Sequence, residues 1–114
     1  MPSQQEIGFN QAMLDLYKRA LKETKYPAND FLGLVLDLGG LPAAKQLLLI
    51  PPNNPEYVPT GFTEIVLRNR IDLTMEAVIL DSTEWLSLFD ENELLTAYKR
   101  LKAVGYEPKW KPPA

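Results

Sequence analysis

Four of the five charged side chains in one apolar stretch are the residues best placed to do chemistry. The stretch is Gly61–Leu80, and the four residues are Arg68, Arg70, Asp72 and Glu76. Glu76 falls on the same helical stripe as Leu73, Ala77 and Leu80. A carboxylate on such a stripe loses solvation, which raises its pKa unless a cation or hydrogen bonds compensate.

Two interpretations of Glu76 follow. Carboxylates with perturbed pKa values occur at functional sites, so Glu76 with Asp72 and an arginine could form a small active site. The structural alternative, which we favour, is that Glu76 forms an ion pair with Arg68 or Arg70 and holds two helices in register. In this interpretation Asp72 is the N-cap of the helix that carries Glu76.

Composition narrows the chemistry further. The chain of 114 residues contains no cysteine and no histidine, which excludes thiol catalysis, disulfides and the commonest general base and metal ligand. Asp72 and Glu76 offer oxygen ligands, but two carboxylates are too few for a divalent cation, and no calcium-loop pattern is present. We therefore predict no metal, no cofactor, no catalytic residue and no enzymatic activity.

Helical periodicity with capping signals dominates the chain. Capping boxes at Ser3–Glu6 and Asp90–Glu93 open predicted helices over Gln4–Thr24 and Glu91–Val104, and a third is predicted over Pro42–Ile50. The pattern predicts an all-α orthogonal bundle of five to six short helices, a single domain over residues 1–106, followed by an extended Pro-rich tail over residues 107–114. The predicted core comprises Phe31, Leu34, Leu38, Phe62, Val66, Leu73, Leu80, Phe89 and Leu101.

The loop Pro51–Thr60 suggests how the domain acts. It holds four prolines and two apolar side chains, Tyr57 and Val58, so it is stiff and able to border an apolar groove. We predict a non-catalytic interaction or accessory protein that binds a protein partner, or a second copy of itself, near this loop. Aromatic residues concentrate binding energy, which makes Tyr57, Trp85 and Trp110 the candidate contacts.

Nucleic-acid binding is the alternative function. Two helix faces carry basic residues: Lys18, Arg19, Lys22 and Lys25 on one, and Lys99, Arg100 and Lys102 beside Tyr98 on the other. A small regulator or accessory subunit could use them to contact phosphates. The net charge of −3 weighs against this reading. Because no apolar run reaches the roughly 18–20 residues of a membrane helix, we expect a cytoplasmic protein without a membrane partner.

Several short motifs give the chain a likeness to other proteins. They include Phe31-Leu32, Gly39-Gly40, Gly61-Phe62, Leu73-Thr74 with Glu76-Ala77, and Gly105-Tyr106. With these motifs at their spacing, the chain resembles an uncharacterised family of small all-helical bacterial proteins. The resemblance implies a bacterial, single-domain protein and transfers no catalytic residue.

Overall fold

Helices form all the regular structure of residues 3–113, the part of the chain that the computed structural model describes. The six α-helices of this part are α1 (Gln4–Thr24), α2 (Asn29–Leu38), α3 (Gly40–Leu47), α4 (Thr60–Leu67), α5 (Met75–Leu80) and α6 (Glu91–Ala103). Single 3₁₀ turns lie at Ile71–Leu73 and Leu86–Leu88. The all-α prediction is confirmed, and the helices form one globule. The first two residues of the predicted domain and the last of the predicted tail lie outside the described residues.

Side-chain caps set the starts of the two longest helices. The Ser3 hydroxyl accepts a hydrogen bond from the Glu6 N–H at 3.1 Å. At α6 the capping box is complete, because Asp90 accepts from the Glu93 N–H at 2.8 Å and Glu93 accepts from the Asp90 N–H at 2.9 Å. These local signals explain why both predicted starts are correct.

The third helix, α3, spans Gly40–Leu47 and so begins and ends earlier than the predicted Pro42–Ile50. Gly39 has a φ of 91°, a left-handed value that favours glycine, and it separates α2 from α3. The N–H of Gly40, the first residue of α3, donates to the Asn10 side chain of α1 at 2.8 Å. A Cβ at Gly40 would lie 2.6 Å from the Asn10 Cα, so only glycine allows α1 and α3 to pack this closely.

The core confirms five of the predicted residues: Phe62, Leu73, Leu80, Phe89 and Leu101 are buried. Leu38 was wrongly predicted, since its side chain is 43% exposed. The reason is that α2 is apolar nearly all round, and Val35 is its buried residue while Leu36 and Leu38 face outward. The remaining three predicted core residues, Phe31, Leu34 and Val66, are half-buried.

The C-terminal tail lies along the domain. Pro108 is buried, the Lys109 N–H donates to Asp81 Oδ1 at 2.8 Å, and the Trp110 N–H donates to the Leu80 carbonyl at 3.0 Å. The Tyr106 hydroxyl also donates to Asp81, and burial together with this carboxylate raises the pKa of Tyr106 to about 12. The tail is thus fastened to the end of α5.

Candidate functional site

Glu76 pairs with Arg100 of α6, and not with Arg68 or Arg70 as predicted. Arg100 Nη1 lies 2.9 Å from Glu76 Oε2, and the two side chains are only 4% and 2% exposed. The partners are 24 residues apart in sequence. They meet because α5 packs against α6, a tertiary contact that local spacing does not encode.

Arg100 joins three helices. The same Nη1 donates to the carbonyl of Leu47 at 2.9 Å, at the C-terminal end of α3. The last carbonyls of a helix lack partners within the helix and carry partial negative charge, so a cation there is favourable. Nε and Nη2 of Arg100 are buried without a hydrogen-bond partner among the described residues.

A signal in the sequence could have identified Arg100. It follows Ala97 by three residues and precedes Val104 by four, so it lies on the inward stripe of α6. This is the argument that singled out Glu76. Two opposite charges on inward stripes of two helices are natural candidates for one buried pair.

Glu76 also lines a cavity of about 300 Å³. Residues of α1, α2 and α4, the end of α3 and the start of α5 form its walls, with Tyr57 and Pro59 of the long loop at one side. Most lining residues are apolar, among them Phe31, Leu34 and Phe62. Phe31 and Leu34 are half-buried because they face this space rather than a filled core.

The Glu76 carboxylate is held by two kinds of hydrogen bond. Its Oε2 accepts from Arg100 Nη1, and a hydrogen bond from the backbone of Glu76 itself also favours the charged form. Burial raises the pKa of the Glu76 carboxyl, and the attraction of Arg100 offsets only part of that effect.

The other three residues of the predicted ion-pair site, Arg68, Arg70 and Asp72, lie outside this cavity. Asp72 lies in the 3₁₀ turn before α5, and Thr74 is the N-cap of α5, where its hydroxyl accepts from the Ala77 N–H at 3.1 Å. The prediction that Asp72 caps this helix is therefore wrong, because the 3₁₀ turn delays the start of α5 to Met75.

Arg68 and Arg70 take partners nearer the surface. Arg70 binds Asp72 at 3.1 Å and Glu23 at 2.8 Å. Arg68 binds Glu64, one helical turn earlier, at 2.6 Å and covers the ring of Tyr26. These contacts bring Arg70 and Asp72 together but separate both arginines from Glu76.

A shallow apolar groove continues from the cavity to the surface. Leu34, Leu47 and Tyr57 line both, and the groove runs on over Leu49 and Ile50 to the first prolines of the loop. Leu49, Ile50 and Tyr57 are 67%, 41% and 38% exposed. We call this continuous surface the loop groove. It begins at Leu49 and Ile50 and ends in the cavity that Glu76 lines.

Of the three predicted partner contacts, the structure places Tyr57 alone at the loop groove. Trp85 is half-buried and packs edge-on against Phe9, with ring centroids 5.6 Å apart. Trp110 is half-buried in the tail and packs edge-on against Tyr98 at 6.2 Å. Trp85 and Trp110 thus hold parts of the fold together.

The second basic face loses its central residue, because Arg100 is buried and committed to Glu76. Lys102 pairs with Glu107 and, on the first face, Arg19 pairs with Glu23. Within residues 3–113, no group of three or more carboxylates is arranged to hold a metal ion. Over the same range, every helix is too short or too polar to cross a membrane.

Comparison with known proteins adds no relative. No protein-family model, curated protein or solved structure matches this chain at a significant level. The likeness to small bacterial helical proteins thus stays a prediction.

Proposed function

We propose that this protein is a non-catalytic interaction protein that receives a segment of a partner protein in the loop groove. The observation that carries the proposal is the continuity of an exposed apolar strip with a cavity inside the fold. A small ligand needs only the cavity, whereas a strip that leads from Leu49 and Ile50 into it fits a chain segment with one side chain inserted.

The local structure supports binding by a preformed site. The loop holds Pro51, Pro52, Pro55 and Pro59, which restrict the backbone, so little conformational freedom is lost when a partner docks. Large apolar side chains that stay exposed along a groove lose contact with water when a partner covers them, and this supplies the driving force.

A matched pair of substitutions tests the proposal. Leu49 and Leu36 are both 67% exposed, but Leu49 lies in the loop groove and Leu36 lies on the outer face of α2. We expect Leu49→Asp to lose proteins that co-purify with the tagged wild-type chain from its own host, and Leu36→Asp to retain them. Circular dichroism checks that both variants fold.

Two results would decide against the loop groove. One is equal loss of partners in both variants, which indicates a non-specific effect of charge on apolar surface. The other is equal retention of partners in both variants.

Self-association is measured for the wild type and the two variants by sedimentation over a range of concentrations. A dimer that Leu49→Asp alone disrupts identifies a second copy of the chain as the partner.

Nucleic-acid binding stays a prediction without a supporting observation of this kind. A salt-sensitive mobility shift with duplex DNA or RNA, retained in Leu49→Asp and lost when Lys18 and Lys22 are replaced by glutamine, would favour it over the loop groove.

A further inference from the structure

Aromatic rings are concentrated at the cavity. Three of the five tyrosines of the chain and two of its four phenylalanines line it: Tyr17, Tyr26, Tyr57, Phe31 and Phe62. The face of an aromatic ring carries partial negative charge and attracts cations. One ring of this set already shows the effect, because the guanidinium of Arg68 lies 4.7 Å from the centroid of Tyr26.

The charge at the cavity has one sign. Within residues 3–113, the charged residues that line the cavity or the groove are two acids, Asp30 and Glu76, and no lysine or arginine. Glu76 is compensated by Arg100. Asp30, by contrast, forms no ion pair with a cation of the described residues. One uncompensated negative charge therefore borders the cavity.

This charge lies at the mouth of the cavity, beside two of the rings. Asp30 is exposed, whereas Glu76 is buried at the deep end. Phe31 follows Asp30 in sequence, and the Tyr17 hydroxyl donates to the side chain of the preceding residue, Asn29, at 3.1 Å. A cation at the deep end would find only an ion pair without net charge and would lack a counter-charge of its own. A cation is therefore favoured at the mouth.

The helix dipole explains only part of this arrangement. An acid in the first turn of a helix is favourable, and Asp30 lies in the first turn of α2. The dipole does not explain why the residues that line the cavity and the groove include five rings and no basic side chain. Complementary charge on a partner explains both features, since it supplies the missing cation.

We propose that the partner segment is basic: beside the apolar side chain that enters the cavity, it carries a lysine or arginine whose cation lies at the mouth, against Asp30 and the rings of Tyr17 and Phe31. The inference rests on the proposed function, because it names the chemistry of the segment that the loop groove receives. The net charge of −3 acts in the same direction, since it attracts a basic partner from a distance.

Three small probes with the same six-carbon stem test the preference for a cation. The ¹⁵N-labelled protein is titrated at low salt and pH 7 with hexylammonium, hexanol and hexanoate, and amide shifts of residues 29–31 report binding at the mouth. An exposed ion pair and a cation–ring contact together should make hexylammonium bind about three- to tenfold more tightly than hexanol. Hexanoate should bind most weakly. In 1 M NaCl the preference for the cation should shrink.

Two acids of α2 provide matched variants. Asp30 and Asp37 are both exposed and have no ion pair among the described residues, but only Asp30 lines the cavity. Asp30→Asn is expected to remove most of the preference for hexylammonium over hexanol and to weaken the capture of partners from the host. Asp37→Asn is expected to change neither. Circular dichroism checks that both variants fold.

Peptide probes distinguish a partner segment from a free amine. An acetylated leucine–lysine amide offers an apolar anchor beside a cation, and the matching leucine–norleucine amide has the same stem without the charge. We expect the lysine peptide to bind more tightly. If hexylammonium binds and neither peptide does, the partner segment is overturned in favour of a free apolar amine.

The remaining outcomes separate this inference from the proposed function. Equal binding of hexylammonium, hexanol and hexanoate, or an equal effect of Asp30→Asn and Asp37→Asn, overturns the basic residue. If that happens while Leu49→Asp still loses the partners, the loop groove stands and its partner is not basic. If the cation is preferred as expected while Leu49→Asp keeps every partner, the proposed function fails and the cavity remains a site for apolar ammonium compounds.

Discussion

Two groups of paired charges in this protein have similar chemistry and opposite surroundings. Glu76 and Arg100 are almost completely buried, between α5, α6 and the end of α3. Glu23, Arg70 and Asp72 form a triad whose side chains are 33%, 34% and 48% exposed. Exposed ion pairs contribute little to stability because water and salt screen them.

The buried pair behaves differently. Both charges have lost their solvation, so each depends on the other, and removal of one leaves an uncompensated charge in the interior. The predicted pair of Glu76 with Arg68 or Arg70 does not form. Arg70 instead pairs near the surface with Glu23 and Asp72, and Glu76 pairs in the core with Arg100, which is distant in sequence.

The largest expected effect comes from breaking the buried pair. Glu76→Leu leaves the guanidinium of Arg100 buried without its carboxylate and is expected to cost roughly 3–5 kcal/mol of unfolding free energy. Urea unfolding followed by circular dichroism measures this. The double variant Glu76→Leu with Arg100→Met removes both charges and should recover most of the loss.

The single variant Arg100→Met tests the contrast between the buried and the exposed charges in a second way. A carboxyl can take up a proton and become neutral, whereas a guanidinium cannot lose one. We therefore expect Arg100→Met to cost less at pH 5 than at pH 8. Glu76→Leu should show the opposite trend and cost less at pH 8, because the stability that Glu76 contributes is lost as the pH rises through its raised pKa. A loss below about 1 kcal/mol in both single variants, the range of exposed pairs, would contradict the contrast between the two groups.

The pH dependence of stability is expected to have opposite signs in the two regions. Burial raises the pKa of Glu76 in the folded state above its usual 4.5, so its contribution to stability is present below about pH 4.5 and is lost as the pH rises through the folded pKa. Hydrogen bonds from Arg70 lower the pKa values of Glu23 and Asp72. Their contribution is present above their usual values of 4.5 and 3.8 and is lost as the pH falls.

The difference in unfolding free energy between the wild type and a variant, measured across pH, shows the pH dependence of each region separately. Unfolding free energies are measured from pH 3 to pH 8 for the wild type, the Glu76→Leu, Arg100→Met double variant and Arg70→Ala. The advantage of the wild type over the double variant should shrink as the pH rises, and its advantage over Arg70→Ala should grow. Two curves of the same sign would show that Arg100, and not burial, controls the pKa of Glu76.

The parts of the fold that local chemistry controls could be predicted from the sequence. The capping residues Ser3 and Asp90 set the starts of α1 and α6 through contacts within three residues. The partner of Glu76 could not be predicted in this way, because it depends on how α5 and α6 pack across 24 residues. The loop groove was foreseen in outline from the prolines and Tyr57, but its cavity arises from the spacing between α1, α2 and α4, which no short pattern specifies.

The smallest expected effect is in the exposed triad. Arg70→Ala removes the contacts to Glu23 and Asp72, yet all three side chains remain accessible to water in the wild type. We expect the urea midpoint to move by little more than the scatter of the measurement at low salt. In 1 M NaCl, where the screening length falls to about 3 Å, the difference between Arg70→Ala and the wild type should shrink. Arg68→Ala is the matched control, since Arg68 also covers the ring of Tyr26, and a loss that persists in high salt is expected there alone. If Arg70→Ala is as destabilising as Glu76→Leu and equally insensitive to salt, then the connection between α1 and the turn before α5 holds the fold as firmly as the buried pair does.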